Sequence, residues 1–472
     1  MIEARHIEAL KSLLGEKGLL TDAADLAAYE TGARYDRGKA AFVARPASTK
    51  EVSAVVAYCV KNNLALVPQS GNTGLVSGST PDDSGNQGVL SLDRLTGIYE
   101  LDRVNRTVKV GAGLHLSDLN GKLRDSGLFF PIDLGADPLV GGMIATNTGG
   151  SRFLRYGDVR RNTLGVTVVL ADEAGTVLDL SSSLRKNNTG VDWKHLFIGT
   201  SGAFGVITEC VLNLEPVPRQ TATALLVPTL GEQVPALLVA MEEALGSYLS
   251  AFEGMSGNAI RAALDHVPSL RNPFQGGIVP EFVILAEISR SNPTRDGEQP
   301  LDSVLEEVLA SLWEREDSLL ADALVGPPHE IWALRHALSE GVKHMGRLIA
   351  FDLSFRRGDI MRFLTHMRAE MPKSFPGITI CDFGHIGDGG VHFNLVVEKT
   401  DPRLADTGFE MALREWVFTV AVEEFGGSFS AEHAIGRKNQ AYYDKYTPAE
   451  IRLLASGLKA ITSPGALGAM TF

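Results

Sequence analysis

Cysteine is scarce in this 472-residue chain: Cys59, Cys210 and Cys381 are the only three. An odd count without a CxxC spacing excludes a disulfide framework and fits a reducing compartment. Long apolar runs are missing as well. The longest, Ala54 to Val60, spans seven residues, where a transmembrane helix needs about 20. Blocks of Lys and Arg are absent. The 57 acidic residues against 44 basic ones leave a net charge of −13, which argues against nucleic acid as a partner. There is no low-complexity tract and no repeat with a period of roughly 20–50 residues. The opening MIEARHIEALKSLLGEKGLL carries Glu3 and Glu8 and has neither a secretory apolar core nor the acid-poor look of a transit peptide. The expectation is a cytoplasmic protein with no integral membrane segment. What the chain does have is 44% hydrophobic residues and 49 glycines. That composition excludes disorder as the main state and supports two or about three folded units.

The text of the chain changes along its length. Residues 1–38 read as a helical lead-in. From 39 to 217, short Val/Ile/Leu runs alternate with glycine-rich turns. One helix is plain there: Ser48 and Glu51 form a capping box ahead of Val52, Val55, Val56, Cys59 and Val60 at helical spacing. It leads into a buried-strand run at Leu64–Val67. Residues 218–415 mix strand-like runs (Thr223–Val227, Phe282–Ile288, Leu348–Leu353, Ile378–Phe383, His392–Val397) with helix-like stretches at 302–324 and 330–346. Prolines at 216, 218 and 228 mark the boundary. Residues 416–472 read as mostly helical. The whole is α+β.

Glycine clusters carry the first chemical signal. Pro68-Gln-Ser70-Gly71-Asn72-Thr73-Gly74-Leu-Val-Ser-Gly78-Ser79 follows a strand, so its backbone N–H groups can approach an anion, with Asn72, Thr73 and Ser79 as extra donors. It is neither a P-loop nor a GxGxxG opening a helix. Further clusters follow at Pro131–Gly135, Gly141–Gly150 and Gly199–Glu209. Several such stretches in one α+β unit suit one long ligand with a pyrophosphate, such as a dinucleotide.

A second signal is polar. In Cys381-Asp-Phe-Gly-His385-Ile-Gly-Asp-Gly-Gly-Val-His392-Phe-Asn394, a four-residue hairpin loop at Gly387–Gly390 would set His385 opposite His392, with Asn394 on the same side. Cross-strand Cβ atoms lie roughly 4.5–5.5 Å apart, a spacing at which two imidazoles share one metal. Ser430-Ala-Glu432-His433-Ala-Ile-Gly436 offers a carboxylate that completes a His₂Glu set and an adjacent base. On a helix at 330–346, Arg335, Ser339 and Lys343 share one face, a stripe suited to a carboxylate.

Taken as a set, PQSGNTG, PIDLGA, GGMIATNTGG, RFLRYGD, SLRKNNTG, LFIGTSGAFGVIT, GHIGDGGVHFN and SAEHAIG resemble the flavin-dependent oxidoreductases of the vanillyl-alcohol-oxidase type. Within that type the chain is similar to the D-2-hydroxyacid dehydrogenases, D-2-hydroxyglutarate dehydrogenases in particular, from about residue 40 to about 462. The resemblance implies a two-part FAD-binding domain, an α+β cap (substrate) domain over the isoalloxazine, and a C-terminal helical segment carrying part of the active site. It implies FAD contacts from Pro68, Ser70, Gly71, Asn72, Thr73, Gly74, Gly78 and Ser79; from Pro131 and Gly135; from Gly141, Gly142, Thr146, Asn147, Gly149 and Gly150; and from Gly202, Gly205, Val206 and Ile207. No His lies in 68–79, so FAD is expected to be non-covalent. The resemblance further implies His385, His392 and Glu432 as ligands of a divalent metal, with zinc the expectation, and His433 as catalytic base. Arg335, Ser339, Asn394 and Lys343 would hold the substrate.

The implied reaction takes a D-2-hydroxyacid, D-2-hydroxyglutarate first, to the 2-oxoacid. The proton goes to His433 and the hydride to flavin N5. An electron-transfer flavoprotein or a quinone would reoxidise the flavin, and a homodimer is the base-rate expectation. Relatives place Lys where this chain has Ala350, Asn where it has Met143, and a closing Asn-Pro-Gly-Lys where it has Ser463-Pro-Gly-Ala. The first difference keeps D-lactate, D-malate or a bulkier D-2-hydroxyacid open. An O₂-using oxidase of the same fold, a metal hydrolase on His385, His392 and Glu432, and a non-catalytic flavin-binding subunit are the alternatives.

Overall fold

A computed structural model describes residues 2–34 and 37–472. The chain forms two units. The first comprises residues 1–149, 157–216 and 432–472, and the second 150–156 and 217–431. Residues 416–431 thus group with the second unit, and the remainder of the C-terminal segment with the first.

The first unit holds two sheets and a two-stranded pair. In the smaller sheet, strands Ala40–Ala44, Gln87–Ser91 and Leu66–Gln69 run parallel, with Leu19–Leu20 antiparallel at one edge. The helix Thr49–Lys61 packs beside it. Ser48 Oγ accepts from Glu51 N–H, and the Glu51 carboxylate accepts from Ala47 N–H at 2.7 Å. Val52, Val55, Val56 and Cys59 are buried in a core shared with Phe42, Leu66 and Leu90. The larger sheet is antiparallel, in the order Tyr99–Asp102, Thr107–Gly111, Val206–Asn213, Thr163–Val169, Val177–Leu180. Its core includes Phe130, Met143, Ile144 and Phe197.

The second unit is built on an eight-stranded antiparallel sheet. From one edge it runs Leu320–Gly326, Gln220–Pro228, Phe282–Arg290, Leu249–Ser256, Phe383–Gly384, Gly390–Val397, Arg347–Ser354, with Thr379–Ile380 also paired to Gly390–Val397. Helices Gly257–His266 and Pro328–Met345 share a core with Met255, Leu285 and Phe383. Of the expected strands, Thr223–Val227, Phe282–Ile288, Leu348–Leu353 and His392–Val397 each lie inside an observed one. The expected helix at 302–324 ends at Trp313. The charged turn after it breaks the periodicity, and Leu320–Gly326 forms an edge strand against Gln220–Pro228.

Candidate active site

In the first unit the glycine loops converge through backbone contacts. A Cβ on Gly142 would come within 2.8 Å of the Ser70 Cβ, and one on Gly71 within 3.2 Å of Leu139 N, so the helix Val140–Thr146 seats directly on the loop after strand Leu66–Gln69. Asn72, Ser77, Asn147, Ser201 and Ala434 all have left-handed φ, between 49° and 67°. Such conformations are costly for residues with a Cβ and cluster where function requires them.

Side chains hold these loops in shape. Asn72 donates to Thr31 O at 2.7 Å and accepts from Ser79 Oγ at 2.9 Å. Asn147 donates to Asp158 and accepts from Arg160 N–H. Thr146 Oγ1 donates to Gly142 O. These side chains are bonded inside the protein, which leaves phosphate binding to the backbone. The N–H groups of Gly71, Asn72, Thr73 and Gly74 donate to no acceptor among the described residues. Ser70 Oγ is buried without a partner there. Gly71, Asn72 and Thr73 are half-buried and Gly74 is exposed, so this row of free N–H groups is open to an anion and fits a pyrophosphate-bearing cofactor such as FAD. Met143 lies in the core, 1% exposed, so its departure from the expected Asn adds packing volume rather than a polar contact.

The Glu432–His433 segment is fastened to the same loops. Glu432 Oε2 accepts from Gly149 N–H at 3.2 Å. Lys438 N–H donates to Val76 O at 3.1 Å, and the Arg437 guanidinium donates to Pro81 O at 3.0 Å. Gly436 has φ +58°, and a Cβ there would lie 1.8 Å from Val76 O. Only glycine permits this approach. The strained Ala434 follows His433 directly.

In the second unit His385 and His392 come together, by a register that differs from the expectation. Phe383, not His385, pairs with His392. Gly384 adopts φ +148°, and His385 enters the turn with its carbonyl accepting from Asp388 and Gly390 N–H. The two rings nevertheless meet edge to face, 5.3 Å between centroids. His385 Nδ1 donates to Glu253 Oε1 at 2.8 Å, which in the neutral imidazole leaves the lone pair on Nε2.

The other Glu253 oxygen binds Arg335, at 2.9 Å from Nε and 2.8 Å from Nη2. Burial alone would raise the Glu253 carboxyl, but His385 and Arg335 more than offset it and hold it at about 2. Arg335 Nη1 has no partner among the described residues. His392 stands opposite Asp352 in the sheet, with Nδ1 3.6 Å from Oδ1, and Asp352 Oδ2 accepts from Ala431 N–H at 3.0 Å. Asn394 is buried, faces Ala350 across the ladder, and donates to His392 O. Two imidazoles with buried carboxylates beside them suit a divalent metal. Ser339 and Lys343 are exposed on the helix that buries Arg335.

Glu253, Asp352 and Glu287 escaped the sequence reading. Each is the one acid in a mostly apolar strand, LSAFEGMS, RLIAFDLS and FVILAEISR. That pattern is the signal that would have found them. Glu287, 1% exposed, binds Arg152 at 2.7 and 2.9 Å, Trp332 Nε1 at 2.7 Å and Ser250 Oγ at 2.7 Å.

Comparison with known proteins agrees. Residues 40–181 match the FAD binding domain family, and residues 217–464 match the C-terminal domain of the FAD linked oxidases. The chain is 31% identical over 475 residues to the mitochondrial D-2-hydroxyglutarate dehydrogenase of Arabidopsis thaliana, covering 99% of this chain and 81% of that one. It is 30% identical over 470 residues to the D-2-hydroxyglutarate–pyruvate transhydrogenase of Saccharomyces cerevisiae, covering 96% and 91%. This chain belongs to the FAD-dependent D-2-hydroxyacid dehydrogenase family. Its fold is that of the vanillyl-alcohol-oxidase type, α+β: alkyldihydroxyacetonephosphate synthase superposes with a TM-score of 0.73 at 16% identity, over 99% of this chain and 84% of that one. Among the described residues no helix is long and apolar enough to cross a membrane.

Proposed function

We propose that this family member oxidises D-2-hydroxyglutarate to the 2-oxoacid, with His433 as the base. The observation that carries the reading is Glu253 bridging His385 and Arg335, which ties a metal-ligand imidazole to an anion-binding guanidinium in one buried cluster. Bound FAD supplies the two-electron acceptor for the C2 hydride. A divalent metal, zinc by ligand type, supplies a Lewis acid for the hydroxyl and carboxylate oxygens. His385, His392 and Glu432 would hold it; Glu432 follows Ala431 in the chain, whose N–H is bonded to Asp352.

The chain's own groups do the rest. Arg335 Nη1 binds a substrate carboxylate with charge-assisted hydrogen bonds. Ser339, Lys343 and Asn394 add polar contacts around it. The imidazole of His433, held beside strained Ala434, takes the proton of the 2-hydroxyl. FAD is held non-covalently by the backbone of 70–74 and by the glycine runs through Ile207. Electrons leave to a protein or quinone acceptor. The three cysteines are buried and free, which supports a reducing compartment such as the cytoplasm.

A second reading has one observation behind it. Ala350 faces Asn394, and the next pair on that side of the two strands is Leu348 with Val396. An apolar floor there favours a shorter or less charged D-2-hydroxyacid, such as D-lactate. The test is dye-linked turnover on a panel of D-2-hydroxyacids, each also as the L-enantiomer, before and after chelation. D-2-hydroxyglutarate with the highest kcat/KM and loss on chelation supports the first reading. A D-lactate preference supports the second, and no turnover of any hydroxyacid contradicts both.

A further inference from the structure

Two of the glycine runs, residues 141–150 and 199–209, meet within the first unit. Gly199 N–H donates to Ile144 O at 3.2 Å and Ser201 N–H to Ala145 O at 2.7 Å, at the end of helix Val140–Thr146. Asn147 and Ser201 hold left-handed φ of 52° and 49° at this junction. Residues 158–160 run alongside it. Val159 N–H donates to Thr148 O at 3.1 Å, Asn147 Nδ2 to Asp158 Oδ2 at 3.0 Å, and Arg160 N–H to Asn147 Oδ1 at 2.9 Å. The Arg160 guanidinium then crosses to the second run, where Nη2 donates to Ile198 O at 3.2 Å. A Cβ on Gly199 would lie 2.8 Å from that nitrogen, so the guanidinium rests on the bare face of the glycine. One residue thus bonds the first run through its backbone and the second through its side chain.

We propose that Arg160 is a positioning residue for FAD: it clasps the two runs in the arrangement in which both reach the cofactor. The inference rests on these runs as FAD-binding loops. Left-handed backbone at a residue with a Cβ is unfavourable, so loops left to themselves spend part of their time in other shapes. Affinity falls with the fraction of molecules whose site is competent. The Asn147 side chain offsets that strain on one loop, and the Arg160 guanidinium carries the constraint to the other. The guanidinium is half-buried, and Ile198 O is its one acceptor among the described residues. It forms no ion pair there, so the contact with the second run is the task the charged group has. A hydrogen bond from a charged donor is the stronger kind.

Serial dilution of the holoenzyme, with released FAD read by its fluorescence, gives the dissociation constant. Arg160→Met keeps the stem and removes the donors. It should raise the constant about tenfold, the scale of one such hydrogen bond. Arg160→Lys, which keeps a charged donor, should recover most of the loss. Asn147→Gly keeps the left-handed φ without strain but removes both side-chain bonds, so it should weaken FAD as well. Because the two residues act through one clasp, the double variant should lose clearly less than the product of the single losses. If Arg160→Met does not fold, Arg160→Gln, polar but too short to span to Ile198, takes its place in the cycle. An unchanged constant at position 160 overturns the proposal, as does a double variant whose losses multiply, or a lowered urea midpoint with no change in the constant. A wild-type chain that takes up no FAD overturns the reading of the loops, and this inference with it.

Discussion

Glu253 accepts a hydrogen bond from His385 Nδ1 at 2.8 Å while its second oxygen holds Arg335. The carboxylate is 1% exposed, so it stands in a low-dielectric site between two cationic or polarised partners. One residue therefore sets both the tautomer of a metal-ligand candidate and the orientation of the guanidinium proposed to bind the substrate carboxylate.

Replacing it separates these roles from flavin binding. Glu253→Gln should lower metal affinity about 10–100-fold and reduce kcat/KM, with FAD content unchanged; metal analysis and flavin absorbance on one sample read both. The variant also has a pH signature. The folded carboxyl sits at about 2 against an ordinary 4.5. A depressed acid contributes stability above its ordinary value and loses it as pH falls toward the folded one. The wild type should lose stability from about pH 4.5 down to about pH 2, and Glu253→Gln should show a shallower acid limb.

Glu287 poses the same problem without a metal. It is buried, and Arg152 is its one cationic partner among those observed, stacked at 4.8 Å over Trp332. Arg152→Ala leaves a buried charge with only Trp332 and Ser250 as donors and should cost about 3 kcal/mol. The check is a lowered urea midpoint; an unchanged midpoint would remove this pair from the stability account.

The cysteines should be silent. Burial pushes the Cys59 and Cys381 thiols up to about 12 and raises Cys210 as well. At neutral pH a disulfide reagent should titrate none of the three in the folded protein and all three in denaturant. Rapid reaction of any one would contradict its burial.

Position 350 is the specificity test. Ala350 faces Asn394 on the side of the sheet that carries His392. Ala350→Lys should place an ammonium there and improve kcat/KM for D-2-hydroxyglutarate relative to D-lactate by about tenfold or more, the scale of one charge-assisted hydrogen bond. An unchanged ratio would remove position 350 from substrate selection.

Much of this was legible from residue order. Ser48 and Glu51 announced their helix, and the glycine runs announced the tight turns and left-handed backbone around residues 71–78 and 147–150, because both signals are local. The His385–His392 meeting was legible, but its register was not. Gly384 at φ +148° turns the chain earlier than a four-residue loop predicts, and a glycine's φ is not written in its neighbours. Glu253, Asp352 and Glu287 were missed because apolar strands were read for their hydrophobicity alone. A lone acid in such a strand requires a partner from elsewhere in the fold, and that partner was the information. Residues 320–324 read as a continuation of the helix because Leu320, Ala323 and Leu324 fall at helical spacing, whereas pairing with Gln220–Pro228 makes them an edge strand.

The central claim is that His433 takes the 2-hydroxyl proton as a D-2-hydroxyacid reduces the flavin. The most direct test is anaerobic stopped-flow absorbance at the flavin band, with D-2-hydroxyglutarate mixed into wild-type and His433→Ala protein matched for FAD and metal content. The account predicts rapid bleaching in the wild type and a rate lower by about 10²–10⁴-fold in the variant. Equal bleaching rates in the two proteins would contradict it.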